Sequence, residues 1–229
     1  MSIPKLDIPT FELTLPSSGK KVRYRPFLVK EYKTLQMMKE SSPEEVHRIA
    51  LEIVDICTFN KLKVSTLPNF DVEYIFMQLR AKSLGENVDL VVNCECGFSI
   101  PYSMPIEKVT LKRVDTHTPK FMVTDTVGLK MKYPPFNVKT KSLTPDDLFT
   151  LVATCVESFY TKDGEYHEVD PSEIDEVKDF LENLNPKQFA LVEKFFETIP
   201  KLTHAVYAKC PSCGNTNEAN LEGLLNFFV

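Results

Sequence analysis

Two short stretches of the chain place thiols close together. They are NCECGFSI at residues 93–100 and CPSCGN at residues 210–215. Cys94 and Cys96 stand at i and i+2, too close along the chain for a good mutual disulfide. Each pair is followed by glycine, Gly97 and Gly214. Glycine permits the left-handed backbone by which a tight turn folds back, so both sulfurs of a pair can face one ion. Zinc prefers four tetrahedral ligands and takes thiolates at about 2.3 Å. Backbone N–H groups of such a turn can donate to the sulfurs. Cys94, Cys96, Cys210 and Cys213 are therefore predicted to hold one structural Zn2+ in a zinc-ribbon arrangement. The spacing departs from the usual one. The first pair encloses a single residue, and Cys96 and Cys210 are 114 positions apart. Common ribbons have two residues inside each pair and roughly 15–20 between pairs. Free thiols remain the competing reading. A disulfide is the weakest, because nothing marks the chain for an oxidising compartment.

The other reactive residue types suggest less. Cys57 and Cys155 fall on apolar helical stripes, where a free cysteine packs as a small hydrophobe. His47, His117, His167 and His204 are scattered. His204 precedes Cys210 by six positions. It reads as an ordinary strand residue, with a substitute metal ligand or a partner beside the metal as the alternative. Glu173, Asp175, Glu176, Asp179 and Glu182 lie opposite Val177, Phe180 and Leu181 and read as a solvated helix face. There is no phosphate loop, nucleophile elbow or His-Glu-x-x-His. A closed four-thiolate site leaves no open metal position, so the reading is non-enzymatic.

Composition sets the frame. Hydrophobic residues make up 43% and charged residues 26%, as in globular chains that bury a core. The net charge of −5 argues against a general nucleic-acid binder. No apolar run is long enough to span a membrane, and the first residues lack the apolar segment of a secretion signal.

The elements that must position the thiols are legible in part. Ser42-Pro43, Thr144-Pro145, Asp170-Pro171 and Asn185-Pro186 each pair a capping residue with proline, the signature of a helix start. Stripes at helical spacing follow each, such as Val46, Ile49, Ala50, Ile53, Val54 and Cys57. The stripe after Pro145 runs through Leu148, Leu151, Val152, Cys155 and Val156 and extends to Phe159. Two more helices are expected, one over 71–85 stopped by Gly85 and one around Leu28, Tyr32, Leu35 and Met38. Alternation around a turn at residues 16–19 predicts an N-terminal hairpin. Strands are expected at 88–92, 98–102 and 205–208, around the cysteine turns. Residues 109–115 and 128–136 have period-2 character, and Asp163-Gly164 reads as a loop between helices.

The end of the chain, NLEGLLNFFV, places Leu221, Leu224, Leu225 and Phe228 on one face of a helix capped by Asn220. That helix either packs on its own domain or docks through Phe227, Phe228 and Val229 on a partner. The expected organisation is α+β. A hairpin and helices occupy 1–90, and a discontinuous zinc-ribbon-like module is formed by 91–110 with 203–220. A β segment and helices are inserted over 111–202, and the terminal helix covers 221–229.

The runs ELTLPSSGKKVRYRPFLVKEYKTL and LPNFDVEYIFMQLRAKSLGENVDLVVNCECG resemble baseplate hub proteins of T-even-type contractile-tailed bacteriophages. The likeness is carried by the opening hairpin, the Arg25-Pro26-Phe27 step with Lys30-Glu31 after it, and the helix over 71–85 running into a strand. It spans roughly the first 100 residues, and the cysteine pairs extend it to the C-terminal part. The resemblance implies a structural subunit or assembly factor of the tail baseplate hub. It would act in the host cytoplasm during assembly and in the virion tail, with other hub and tail proteins as partners and homo-oligomers left open. It implies no reaction and no membrane. The alternative is a nucleic-acid-binding zinc-ribbon regulator. Its candidate patch is Arg23, Arg25, Lys30 and Lys33 with Tyr24 and Phe27 interleaved.

Overall fold

Alternation in FELT and KVRY produces the first two strands, β1 (Phe11–Thr14) and β2 (Lys21–Tyr24), paired antiparallel with Phe11 opposite Tyr24. The computed structural model describes residues 6–37, 42–136 and 144–222. Leu13, Val22 and Tyr24 point inward and are buried. Helix α1 (Val29–Met37) follows, with Glu31 accepting the Leu28 N–H at 2.7 Å in its first turn. Helix α2 (Pro43–Cys57) starts as its cap predicts, the Ser42 side chain accepting from the Glu45 N–H. It ends in a Schellman turn. Phe59 N–H donates to Ile56 O at 3.2 Å and Asn60 N–H to Asp55 O at 2.8 Å, both residues being left-handed. Helix α3 (Asn69–Leu84) buries Phe70, Val72, Ile75, Phe76 and Leu79 and stops at Gly85, φ +111°. Its Asp71 is fully buried and accepts the Ser17 N–H at 3.0 Å, which pins the turn of the first hairpin. Strands β3 (Asn87–Asn93) and β4 (Ser99–Pro105) form the hairpin whose tip is the first cysteine turn. The short β5 (Thr110–Lys112) comes next.

Residues 113–200 form a second compact unit. Strands β6 (Lys120–Met122) and β7 (Val127–Met131) precede helix α4 (Pro145–Thr154). Strands β8 (Val156–Thr161) and β9 (Tyr166–Glu168) complete an antiparallel sheet of order β6-β7-β8-β9. A 3-10 turn over Pro171–Glu173 leads into α5 (Ile174–Glu182), and α6 (Pro186–Glu197) closes the unit. Thr144, Asp170 and Asn185 each form a capping box. Val152, Val177, Leu181, Val192 and Phe195 pack with Leu129, Met131 and Val156 in one core.

Two expectations fail in this unit. The helix after Pro145 stops at Thr154, and Val156 and Phe159 lie in β8. Val152, Cys155, Val156 and Phe159 fit a helical stripe, but VESFYT is rich in β-branched and aromatic residues and has a sheet to join. Asp163-Gly164 is the turn of the β8–β9 hairpin, with Thr161 N–H donating to Glu165 O at 3.0 Å, and not a loop between helices.

The chain then returns to the first unit, which comprises 1–112 and 201–229. Strand β10 (Lys201–Lys209) pairs with β5, Lys201 opposite Lys112, and with β11 (Thr216–Glu222), giving the order β11-β10-β5. Val88, Val92, Ile100 and Met104 of one hairpin pack with Leu202, Val206 and Ala208 of the other. Asn220 is therefore no helix cap. It pairs with Ala205, and Leu221 pairs with His204 and packs on this core. Ala219 and Leu221 also satisfy a strand period, and a nine-residue β10 offers a ladder that the helical count from Leu221 overlooks. Leu224, Leu225, Phe227, Phe228 and Val229 lie outside the described residues. The fold is α+β, and among the described residues no helix is long and apolar enough to cross a membrane.

Candidate metal centre

The two cysteine turns close by corresponding backbone hydrogen bonds, the second turn being one residue longer. In the first, Cys94 N–H donates to Phe98 O at 2.9 Å and Gly97 N–H to Cys94 O at 2.9 Å. In the second, Cys210 N–H donates to Asn215 O at 2.8 Å and Gly214 N–H to Cys210 O at 2.9 Å. Gly97 and Gly214 both take positive φ, +85° and +79°, which an L side chain resists. Each turn carries one buried and one exposed cysteine, Cys94 with Cys96 and Cys210 with Cys213.

The packed faces of the β3–β4 and β10–β11 hairpins bring the two turns together. Cys94 Sγ lies 3.6 Å from Cys213 Sγ, and Cys96 Sγ lies 3.7 Å from Cys210 Sγ. All four sulfurs fall within 4.8 Å of one another. A disulfide needs about 2.05 Å, so these contacts are not bonds. A tetrahedron of thiolates about 2.3 Å from zinc has edges of about 3.8 Å, so the sulfurs fit a metal of that size.

The electrostatics of the four sulfurs are uneven. The Cys96 N–H donates to Cys94 sulfur and, with contacts from Cys96, Cys213 and the Asn217 amide, lowers its pKa to about 7 against the effect of burial. At Cys213 the Asn215 N–H pulls downward, but burial and the neighbouring Cys94, Cys96 and Cys210 thiols push the pKa up to about 12. The fold supports one thiolate readily and resists further negative charge beside it. A divalent cation held by the four sulfurs would supply the charge that lets all four ionise.

The remaining candidates separate from this cluster. His204 sits on β10 opposite Leu221, its Nδ1–H donating to the Lys108 carbonyl at 3.1 Å, and it is not part of the sulfur group. Cys57 and Cys155 are buried core thiols, and burial pushes both pKa values up to about 11. His117 lies in the inserted unit. The Thr198 hydroxyl donates to Lys194 O at 2.6 Å, so His117 Nδ1 donates to Thr198 Oγ1 at 2.9 Å. Nε2 then accepts from Tyr133 OH at 3.0 Å. His167 contacts Glu173 at 3.0 Å, and His47 is half-buried on α2. On α5, Val177 and Leu181 face the core while Asp175, Glu176, Asp179 and Glu182 face solvent. The patch considered for nucleic acid keeps Arg23, Lys30 and Lys33 exposed but loses its other three members from the surface. Tyr24 and Phe27 belong to the core, and Arg25 is buried against Glu31.

A family model described as T4 bacteriophage base plate protein matches residues 8–229. No curated protein and no solved structure matches the chain. The match takes in both units and all four clustered cysteines, and the chain belongs to the T4 bacteriophage base plate protein family.

Proposed function

We propose that this baseplate protein is a non-catalytic structural or assembly subunit of the tail baseplate hub, stapled by one structural zinc. The observation that carries the zinc reading is the group of four sulfurs within 4.8 Å on two glycine-closed turns. Four thiolates fill zinc's tetrahedral shell and leave no position for substrate or activated water, which suits a scaffold. Elemental analysis of protein purified without added metal tests it, with one zinc per chain expected. Protein with far less than one zinc, and four thiols open to titration in the native state, refutes it.

The hub role is supported by family membership and by the resemblance of the opening hairpin and α3 to hub proteins. Assembly in the host cytoplasm with other hub and tail proteins follows from it. Phe227, Phe228 and Val229 are proposed as a docking element, because so apolar a segment favours burial against another surface. Capture of tail proteins from infected cells, with the full chain and with a chain lacking 226–229, tests both points. Co-purification of hub proteins with the full chain alone is expected. If both chains retain the same partners, the docking element is wrong. If neither retains a tail protein, the hub role is wrong.

A further inference from the structure

We propose that the four-sulfur centre is a redox switch: a peroxide reaching the exposed Cys96 and Cys213 converts it into two disulfides that cross between the hairpins, Cys94–Cys213 and Cys96–Cys210, and the metal ion leaves. The identity of the released ion rests on the zinc reading above; the pairing of the sulfurs does not.

Two features of the sulfur contacts coincide. Cys94 Sγ lies 3.6 Å from Cys213 Sγ, and Cys96 Sγ lies 3.7 Å from Cys210 Sγ, so each contact joins one hairpin to the other. Each contact also joins a buried sulfur to an exposed one. Cys94 and Cys210 belong to the core between the hairpins, while Cys96 and Cys213 face solvent. A thiol that responds to oxidants combines exposure with a resolving cysteine beside it. Both exposed sulfurs meet that description, and each has a resolving partner of its own. Each contact must shorten by about 1.6 Å to become a bond, which side-chain rotation can supply. Pairing within the turns is poorer. Cys94 and Cys96 stand at i and i+2, so a Cys210–Cys213 bond would leave them as two thiols.

Hydrogen peroxide balances the chemistry. The exposed thiolate attacks the O–O bond, keeps one oxygen as a sulfenic acid and releases the other as hydroxide. The buried sulfur then attacks the sulfenic sulfur, forms the S–S bond and displaces that oxygen as a second hydroxide. Each pair gives up two electrons to one peroxide, so the two pairs consume two. The ion keeps its charge throughout. It leaves because thiolates, not disulfides, are its ligands. The link between the hairpins persists, since the disulfides join residues 119 and 114 positions apart. A clasp that a chelator can open becomes a covalent one. The hub reading gives this step a setting, because thiols stay reduced inside a cell and oxidise outside it.

The experiment adds hydrogen peroxide stepwise to the full chain carrying its metal. A chromophoric chelator reports metal release, alkylation counts the thiols, and mass spectrometry of the unreduced digest locates the disulfides. The expected result is one zinc released for about two peroxides, with Cys94–Cys213 and Cys96–Cys210 bonded within one chain. Cys57 and Cys155, both buried, should remain thiols. The oxidised chain should melt at one temperature with or without chelator, above the reduced chain in chelator. A Cys210–Cys213 bond, disulfides between chains, or sulfinic acids in place of disulfides overturn the proposal. So does an oxidised chain that melts no higher than the reduced chain in chelator. A chain isolated without zinc that forms the same two disulfides refutes the zinc reading and supports the pairing. A chain that carries one zinc and oxidises in any other way refutes this proposal alone.

Discussion

Arg25 shows how far a single residue can depart from its sequence neighbourhood. Beside Arg23, Lys30 and Lys33 it reads as surface charge. In the fold it is buried, with Nη2 3.0 Å from Glu31 and Nη1 2.9 Å from Pro26 O. No local pattern announces a partner six positions on that the first turn of α1 brings back. Removing the acid leaves the guanidinium buried without its counter-charge, so Glu31→Gln is expected to cost about 3–5 kcal/mol in urea unfolding. Burial alone would raise the Glu31 pKa, but the Arg25 guanidinium and Leu28 N–H outweigh it and hold the carboxyl below its ordinary value. A carboxyl with a lowered folded pKa adds stability that is fully present above its unfolded value of about 4.3 and is lost as pH falls through the folded one. The wild type should therefore lose more stability than Glu31→Gln on acidification below that value. Parallel curves would show that the pair adds nothing that depends on charge. Gly128 is a second residue whose reason lies elsewhere in the chain. The Tyr160 ring lies across it, so an added Cβ would clash with the hydroxyl end of that ring, and Lys120 Nζ stands 4.3 Å from the ring centre. Gly128→Ala should cost about 1–3 kcal/mol by overpacking. A thermal melt matching wild type would mean that Tyr160 moves aside freely.

Elements were legible where their signals are local. Capping residues with proline mark helix starts because the unsatisfied N–H groups and the cap sit within four positions of each other. All four such starts are present. The misreadings fall where an element is chosen by its neighbours. β8 is a strand because β7 and β9 flank it, and β11 is one because β10 runs the full length of the hairpin. The cysteine turns were legible from their glycines, while the meeting of the turns depends on the packed faces of two hairpins. That meeting joins residues 114 positions apart. By analogy with a disulfide closing about 100 residues, a metal clasp of this span is worth up to about 5 kcal/mol of loop entropy. Cys213→Ser, and chelation of the wild type, should each lower the melting temperature markedly, with retained helical signal from α2, α3 and the inserted unit. Melting curves unaffected by either change would make the cluster irrelevant to stability.

At the scale of the molecule, the chain is an insertion built on a hydrogen-bonded base. The cysteine hairpins belong to the unit formed by 1–112 and 201–229, and 113–200 form the other. The insertion leaves at Lys112 and returns at Lys201, and these two residues are direct antiparallel partners. From sequence, the long gap between the cysteine pairs looked like a departure from ribbon spacing; here the gap is occupied by a unit with its own sheet, helices and core. Each unit therefore holds a hydrophobic core that does not draw on the other's residues. Two strands in that register need only a two-residue turn, for which Asn-Gly is the preferred sequence. A chain with 113–200 replaced by Asn-Gly should fold, melt cooperatively and take up one zinc, with the cobalt spectrum of the full protein. The separate 113–200 segment should show a cooperative melt insensitive to chelators. Loss of metal binding in the shortened chain, despite retained helical signal, would mean that the inserted unit is needed to hold the two hairpins in place.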